Sequence, residues 1–241
     1  MKDNLGKRMK EQYEQRTRTY LPRRTYTIIR LDGKAFHTFT RGMEEPYDEN
    51  FAATMNYTAL DLCANIQGCK MGYVQSDEIS LLLTDFATIT TDAWFDGQVQ
   101  KIVSVAASMA TGYFNYHLDA WQPINPAFFD ARVFTIPDPV EVENYFVWRQ
   151  KDATRNSISM HAQSLYSPKE LHSKSQSDMH DMIHNKGGNW DKQPEGFKRG
   201  RTIEKDNKGT WHITTPDYLK PYGGKRVISF YIPKIEYEET K

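Results

Sequence analysis

Two acidic residues, Asp32 and Asp77, are the side chains whose setting could do chemistry. Asp32 ends the run Tyr26-Thr27-Ile28-Ile29-Arg30-Leu31, rich in β-branched and apolar residues, and is followed at once by Gly33 and Lys34. That is a strand handing a carboxylate to a turn. Asp77 sits with Ser76 and Glu78 as the polar insert between two short, mostly apolar runs within residues 72–83, the pattern of a tight hairpin. A turn carboxylate alone does no more than start a turn. Two of them side by side repel, and a divalent cation that prefers oxygen, such as magnesium, relieves the repulsion.

Whether the two meet depends on the elements around them. Residues 25–31 read as a strand, and the apolar positions Phe51, Met55, Ala59, Leu62 and Ile66 mark an amphipathic helix over 49–67. The hairpin follows, then a second helix over 98–116 and a strand over 131–136 stopped by Pro137. This order, β-α-β-β-α-β, is the split pattern in which two helices cover one side of an antiparallel sheet. In that topology the first two strands run parallel with the third between them. The end of the first strand and the hairpin turn then share one edge, so Asp32 and Asp77 are expected to be neighbours.

Beyond the sheet, residues 140–165 form a further helix in which Trp148 reads as a core anchor, and 166–200 read as irregular with a short helix near 177–184. Strands are expected at 210–214 and 226–231. A helix over 4–20 carries Leu5, Met9 and Tyr13 on one face. The fold class is thus α+β: one domain over 1–241, with a sheet core at about 25–136 and a helical and C-terminal extension at about 137–241.

Composition narrows the class. A hydrophobic content of 39% over 241 residues supports a core of real size. No apolar run approaches the roughly 18 residues of a membrane span, and the N-terminus is charged where a secretory leader is apolar, so a cytoplasmic location without membrane contact is expected. Net charge is zero, yet residues 1–24 hold eight basic side chains against three acidic ones, and Lys198-Arg199-Gly200-Arg201 is a second basic cluster. Cys63 and Cys69 have no histidine or third thiol nearby and read as free thiols. His180 and His184 share a helical face but lack a third ligand.

Several motifs in order then resemble the tRNA-His guanylyltransferase superfamily of 3′-to-5′ polymerases: Ile29 to Phe39, Pro46-Tyr47-Asp48, Gln75-Ser76-Asp77-Glu78, Phe129-Asp130-Ala131-Arg132, Trp148-Arg149-Gln150 with Asp152, and Phe197-Lys198-Arg199-Gly200. The resemblance implies a polymerase-like palm with a ferredoxin-like βαββαβ sheet that adds nucleotides to the 5′ end of tRNA, after ATP or GTP activates that end. It implies that Asp32, the Gly33 carbonyl and Asp77 hold two magnesium ions, with Glu78 beside them as a third catalytic acid. Gly33, Lys34, Ala35, Phe36 and His37 would wrap the nucleoside triphosphate, with Ser76 either touching it or serving the turn. Arg149, Lys151, Arg155 and Asn156, with Lys198 and Arg199, would face RNA, and the assembly would be a homotetramer.

The chain also departs from that pattern. Thr154, Arg155, Asn156 and Ser157 stand where the eukaryotic enzymes have His-Ile-Asn-Asn, and Glu45 and Asp96 stand where those enzymes are basic. The resemblance is therefore to the guanylyltransferase-like branch, which repairs 5′-truncated tRNA. Addition of a single guanosine to tRNA-His is the alternative, and a palm-type nucleotide cyclase or a non-catalytic RNA-binding module are further ones.

Overall fold

The computed structural model describes residues 4–118 and 125–215, so the strand expected at 226–231 lies outside the described residues. Strands β1 (Tyr26–Gly33), β2 (Cys69–Gln75), β3 (Glu78–Leu83), β4 (Phe129–Ile136), β5 (Arg201–Lys205) and β6 (Trp211–Thr214) form one sheet in the order β4-β1-β3-β2-β5-β6. Both β1 and β2 run antiparallel to β3, and so parallel to each other, as the split pattern requires. Asp32 faces Glu78 across the β1–β3 ladder, which sets the end of β1 against the β2–β3 turn.

Alternation along the strands sends side chains to two cores. Ile29, Leu31, Ile79, Leu81 and Val74 pack on one face beneath α3 (Glu49–Asn65) and α4 (Val99–His117). Tyr26, Ile28, Tyr73 and Leu82 pack on the other face against Val142, Tyr145 and Phe146 of α5 (Pro139–Gln163). The sheet is therefore covered on both faces, two helices on one and α5 on the other. Tyr26, Tyr73, Phe114 and Phe146 are fully buried. At roughly 1.5–3 kcal/mol for each large apolar side chain, this packing outweighs any surface ion pair.

The two long helices beside the site have well-made starts. Asp48 caps α3 by accepting the Phe51 N–H at 2.8 Å, and also accepts the Glu44 N–H at 3.1 Å, which ties the 44–48 loop down. Asp138 caps α5 ahead of Pro139 in the first turn.

Several expectations are corrected. The N-terminal helix is α1 (Leu5–Met9) running into a π-helical turn at Lys10–Glu14, with Leu5, Met9 and Tyr13 all exposed rather than packed. Trp148 is 52% exposed, lying over the Arg149 guanidinium instead of in the core. Region 166–200 is more helical than expected, holding α6 (Pro168–Leu171), α7 (Gln176–Asn185) and α8 (Glu195–Arg199). β5 was not expected as a strand; its Arg-Thr-Ile-Glu-Lys sequence has a single aliphatic residue, and its partner is the free edge of β2.

Candidate active site

The β2–β3 connection is a two-residue turn, Ser76-Asp77, between the paired residues Gln75 and Glu78. Ser76 has φ 45°, a left-handed conformation that glycine usually supplies, so this hairpin holds a strained residue next to its acid. The Gly33 N–H donates to the Asp77 carbonyl at 3.1 Å, locking the end of β1 to that turn. Burial, foremost, and the nearby Asp32 charge push the Asp77 carboxyl up to about 6. The end of β1, which carries Asp32, and the Asp77 turn thus lie against each other, as the topology predicts.

Cross-strand register adds more acid. Asp130, Asp32, Glu78 and Gln75 stand directly opposite one another on β4, β1, β3 and β2, so their side chains share one face in one row. Asp130 is an acid that sequence reasoning quoted in a motif but gave no role; the alternation of Asp130 and Arg132 along the solvent side of β4 was the available signal. Like charges opposite one another destabilise a sheet unless compensated.

Glu78 is compensated. Both of its oxygens accept from Arg149, Nε to Oε1 and Nη2 to Oε2, each at 2.8 Å, and Arg30 lies 3.7 Å away. Arg149 also donates to Asp152 at 2.8 Å, and Asp152 pairs with Arg155. Burial pushes the Glu78 carboxyl up, while the two guanidiniums favour its charged form. Glu78 is thus held towards α5 at both oxygens. Asp32 and Asp77 lack such a guanidinium clamp among the described residues.

A cavity of about 540 Å³ opens beside this edge. Gly33 with residues 35–37, the 43–48 loop, the Ser76-Asp77 turn, α5 at Asn156 and Ser157, and Gly196, Phe197 and Arg201 enclose it. Gly33 is required here because a Cβ would overlap the Phe36 ring. That ring is the centre of an aromatic cluster with Phe39, Phe51, Phe114 and Phe129, at centroid distances of 4.9 to 6.0 Å, which fixes α2 (Phe36–Phe39) to α3, α4 and β4.

The structure brings Gly33, Ala35, Phe36, His37, Ser76, Asp77 and Asn156 to the cavity. It does not bring Asp32 and Glu78, which face each other across the β1–β3 ladder, or Lys34, whose N–H donates to the Phe128 carbonyl at 2.8 Å and whose ammonium lies 6.0 Å from the Phe128 ring. Of the residues expected to face RNA, Arg149 and Lys198 are buried. Arg149 is held by Glu78 and Asp152, and Lys198 by the Asp191 carbonyl and Glu195, so neither presents its charge to a phosphate outside. Lys151 and Arg155 are exposed, and Arg199 is half-buried against Glu195. Cys63 and Cys69 are free, as expected. No trio of His, Cys, Asp or Glu side chains among the described residues is placed to hold a metal by itself. No helix among them is long and apolar enough to cross a membrane.

A βαββαβ palm with Asp77 lining a nucleotide-sized cavity and Asp32 at the end of the adjoining strand defines a class, the palm-type nucleotidyltransferases. Residues 6–137 match the family described as Thg1: tRNAHis guanylyltransferase. The chain belongs to that family and is a nucleotidyltransferase. A protein of Acanthamoeba polyphaga mimivirus, "Uncharacterized protein R259", is 31% identical over 226 residues, 83% of this chain and 77% of its own length. The chain spans about half the length of several curated tRNA(His) guanylyltransferases that it matches. A bacterial tRNA(His) guanylyltransferase (Thg1)-like protein solved with ATP superposes with a TM-score of 0.82 at 43% identity, over 88% of this chain and 92% of that one. One solved with GTP gives 0.74 at 39%, over 88% and 91%.

Proposed function

We propose that this protein extends the 5′ end of tRNA in the 3′-to-5′ direction, and that its task is template-directed repair of 5′-truncated tRNA. The observation that carries the reading is the Asp77 turn, whose acid lines the cavity, tied by the Gly33 N–H to the end of the strand that carries Asp32, on a fold whose bacterial neighbours were solved with ATP and with GTP. The 3′-hydroxyl oxygen of the incoming nucleotide attacks the phosphorus of the activated 5′ end. One P–O bond forms, the bond to the departing AMP or pyrophosphate breaks, and the hydroxyl proton leaves.

The donors available at the rim suit magnesium, which takes one or two carboxylates and completes its shell with water and substrate phosphate rather than with an all-protein cage. Asp32, Asp77 and the Gly33 carbonyl would hold two such ions. When bound, they neutralise phosphate charge and acidify the attacking hydroxyl. The chain's own part is to orient. The Gly33 turn positions the nucleotide against α2, the aromatic cluster keeps that turn rigid, and Glu78 acts through Arg149 to hold the β2–β3 hairpin against α5. Lys151 and Arg155 on the exposed side of α5 supply the charge that RNA meets. A cytoplasmic location and a tetramer belong to the same reading.

A second reading, addition of one guanosine to tRNA-His, is favoured by the description of the family itself. The assay that separates the two offers purified protein, magnesium, ATP and labelled nucleotides to tRNA lacking its first nucleotide and to full-length tRNA-His. Repair predicts extension of the truncated RNA by the nucleotide complementary to its 3′ partner strand. Incorporation of guanosine into tRNA-His alone supports the second reading, and label in a cyclic nucleotide without RNA contradicts both.

A further inference from the structure

Among the described residues two arginines are buried, and their surroundings differ in one respect. Arg149 is 4% exposed and has two carboxylates against it. Arg201, the first residue of β5, is 7% exposed and has none among the described residues; its Nε donates to Asn56 of α3 and its Nη1 to the Gly196 carbonyl at 3.2 Å. Both acceptors are neutral. The phenols of Tyr47 and Tyr73 are also near it, and burial, foremost, pushes its guanidinium pKa down. A buried cation without a counter-ion is costly, and proteins keep one where an anion is to arrive.

The position of Arg201 indicates which anion. It lines the same cavity as Asp77 and His37, and it is the one lysine or arginine among that cavity's described lining residues. It stands opposite Val74 on β2, one strand over and just short of the Ser76-Asp77 turn. Glycine at 196 leaves room for the side chain, since a Cβ there would come within 3.1 Å of its methylenes. A guanidinium has five N–H donors in a planar fork that matches phosphate oxygens, and Asn56 and Gly196 occupy only part of it.

We infer that Arg201 receives a phosphoryl group inside this cavity, donating to its non-bridging oxygens through the N–H groups that Asn56 and Gly196 leave open. The phosphoryl group belongs either to a nucleoside triphosphate tail or to the 5′ phosphate of an RNA end. Asn56 and Gly196 position the guanidinium and hold it in place before the anion arrives. The inference rests on the nucleotidyltransferase reading of the cavity, but its test does not require turnover.

Binding of inorganic tripolyphosphate, ATP, guanosine, and a short RNA with a 5′-phosphate or a 5′-hydroxyl is measured for the wild type and Arg201→Met, together with Tm. Loss of about tenfold or more in affinity for tripolyphosphate and ATP, with guanosine unchanged, assigns Arg201 to the nucleotide tail. Loss confined to the 5′-phosphorylated RNA assigns it to the RNA end. In either case the ligand-free variant keeps or gains Tm, because a buried uncompensated charge has been replaced by an apolar side chain of similar reach. Wild-type affinity for every phosphorylated probe, or equal losses for guanosine and 5′-hydroxyl RNA, overturns the inference. If Arg201→Met does not fold, Arg201→Gln carries the test: a loss of about tenfold or more for tripolyphosphate and ATP or for the 5′-phosphorylated RNA, with guanosine unchanged, supports the inference, and wild-type affinity for every phosphorylated probe in the folded glutamine variant overturns it. Should Arg201→Met extend RNA normally, this inference fails and the enzymatic reading stands. Phosphate binding through Arg201 by a protein that never extends RNA gives the reverse.

Discussion

Asp77 is the residue at which folding and chemistry pull in opposite directions. Its carboxyl is raised from its ordinary value near 4 up to about 6, by burial and then by Asp32, so the folded protein binds its proton more tightly than the unfolded chain does. Stability from this group is present below pH 4, declines as pH rises through the window from 4 to 6, and is gone above it. Asp77→Asn in metal-free protein should therefore raise stability at pH 7 by about 1–2 kcal/mol, discounted for partial exposure, and flatten the pH dependence between 4 and 6. Denaturant titrations across that range check it. Arg149 makes the opposite case. Arg149→Ala leaves Glu78 buried and poorly paired and should cost about 3–5 kcal/mol, while the double change Glu78→Gln with Arg149→Met should recover most of that loss in a double-mutant cycle. The basic character of Arg149 and Lys198 was plain in the sequence, but their burial was not. A charged helix face and a buried ion-pair ladder use the same residue types, and only the register of β3 against α5 separates them.

At the scale of elements, β1, the β2–β3 hairpin, α3 and α4 could be read from periodicity because each has one apolar face turned to one core. β5 could not, since it adds to an edge already formed and its polar pattern carries little of its own signal. The 4–20 segment is helical over residues 5–14, as its apolar spacing predicts, but shorter than expected, and no partner among the described residues covers its apolar face. The juxtaposition of Asp32 and Asp77 was legible because split βαβ topology alone dictates it, whereas the Glu78 clamp and the cavity depend on α5 and α8, whose docking no local pattern encodes. The aromatic cluster under α2 is the element-scale support of the site. Phe36→Ala should cost about 3–5 kcal/mol and, in protein still folded, weaken ATP binding more than RNA binding, because the Gly33 turn loses the ring it rests on. Thermal melts and nucleotide titrations read the two effects separately.

For the whole molecule, a net charge of zero means that RNA is drawn in by local patches and not by a global field. The exposed pair Lys151 and Arg155 should therefore account for a small share of the salt dependence: changing both to Gln should flatten the log–log slope of tRNA binding against salt by about 2 and leave ATP affinity unchanged. All of this presupposes that the two sheet-edge aspartates act together as one oxygen-donor site. Titration of manganese, standing in for magnesium, into protein with ATP, followed by electron paramagnetic resonance, reads that site directly. Wild type should bind two ions, and Asp32→Asn and Asp77→Asn should each lose at least one and all nucleotide transfer while melting no lower than wild type. Two ions bound and transfer intact in either folded variant would contradict the account.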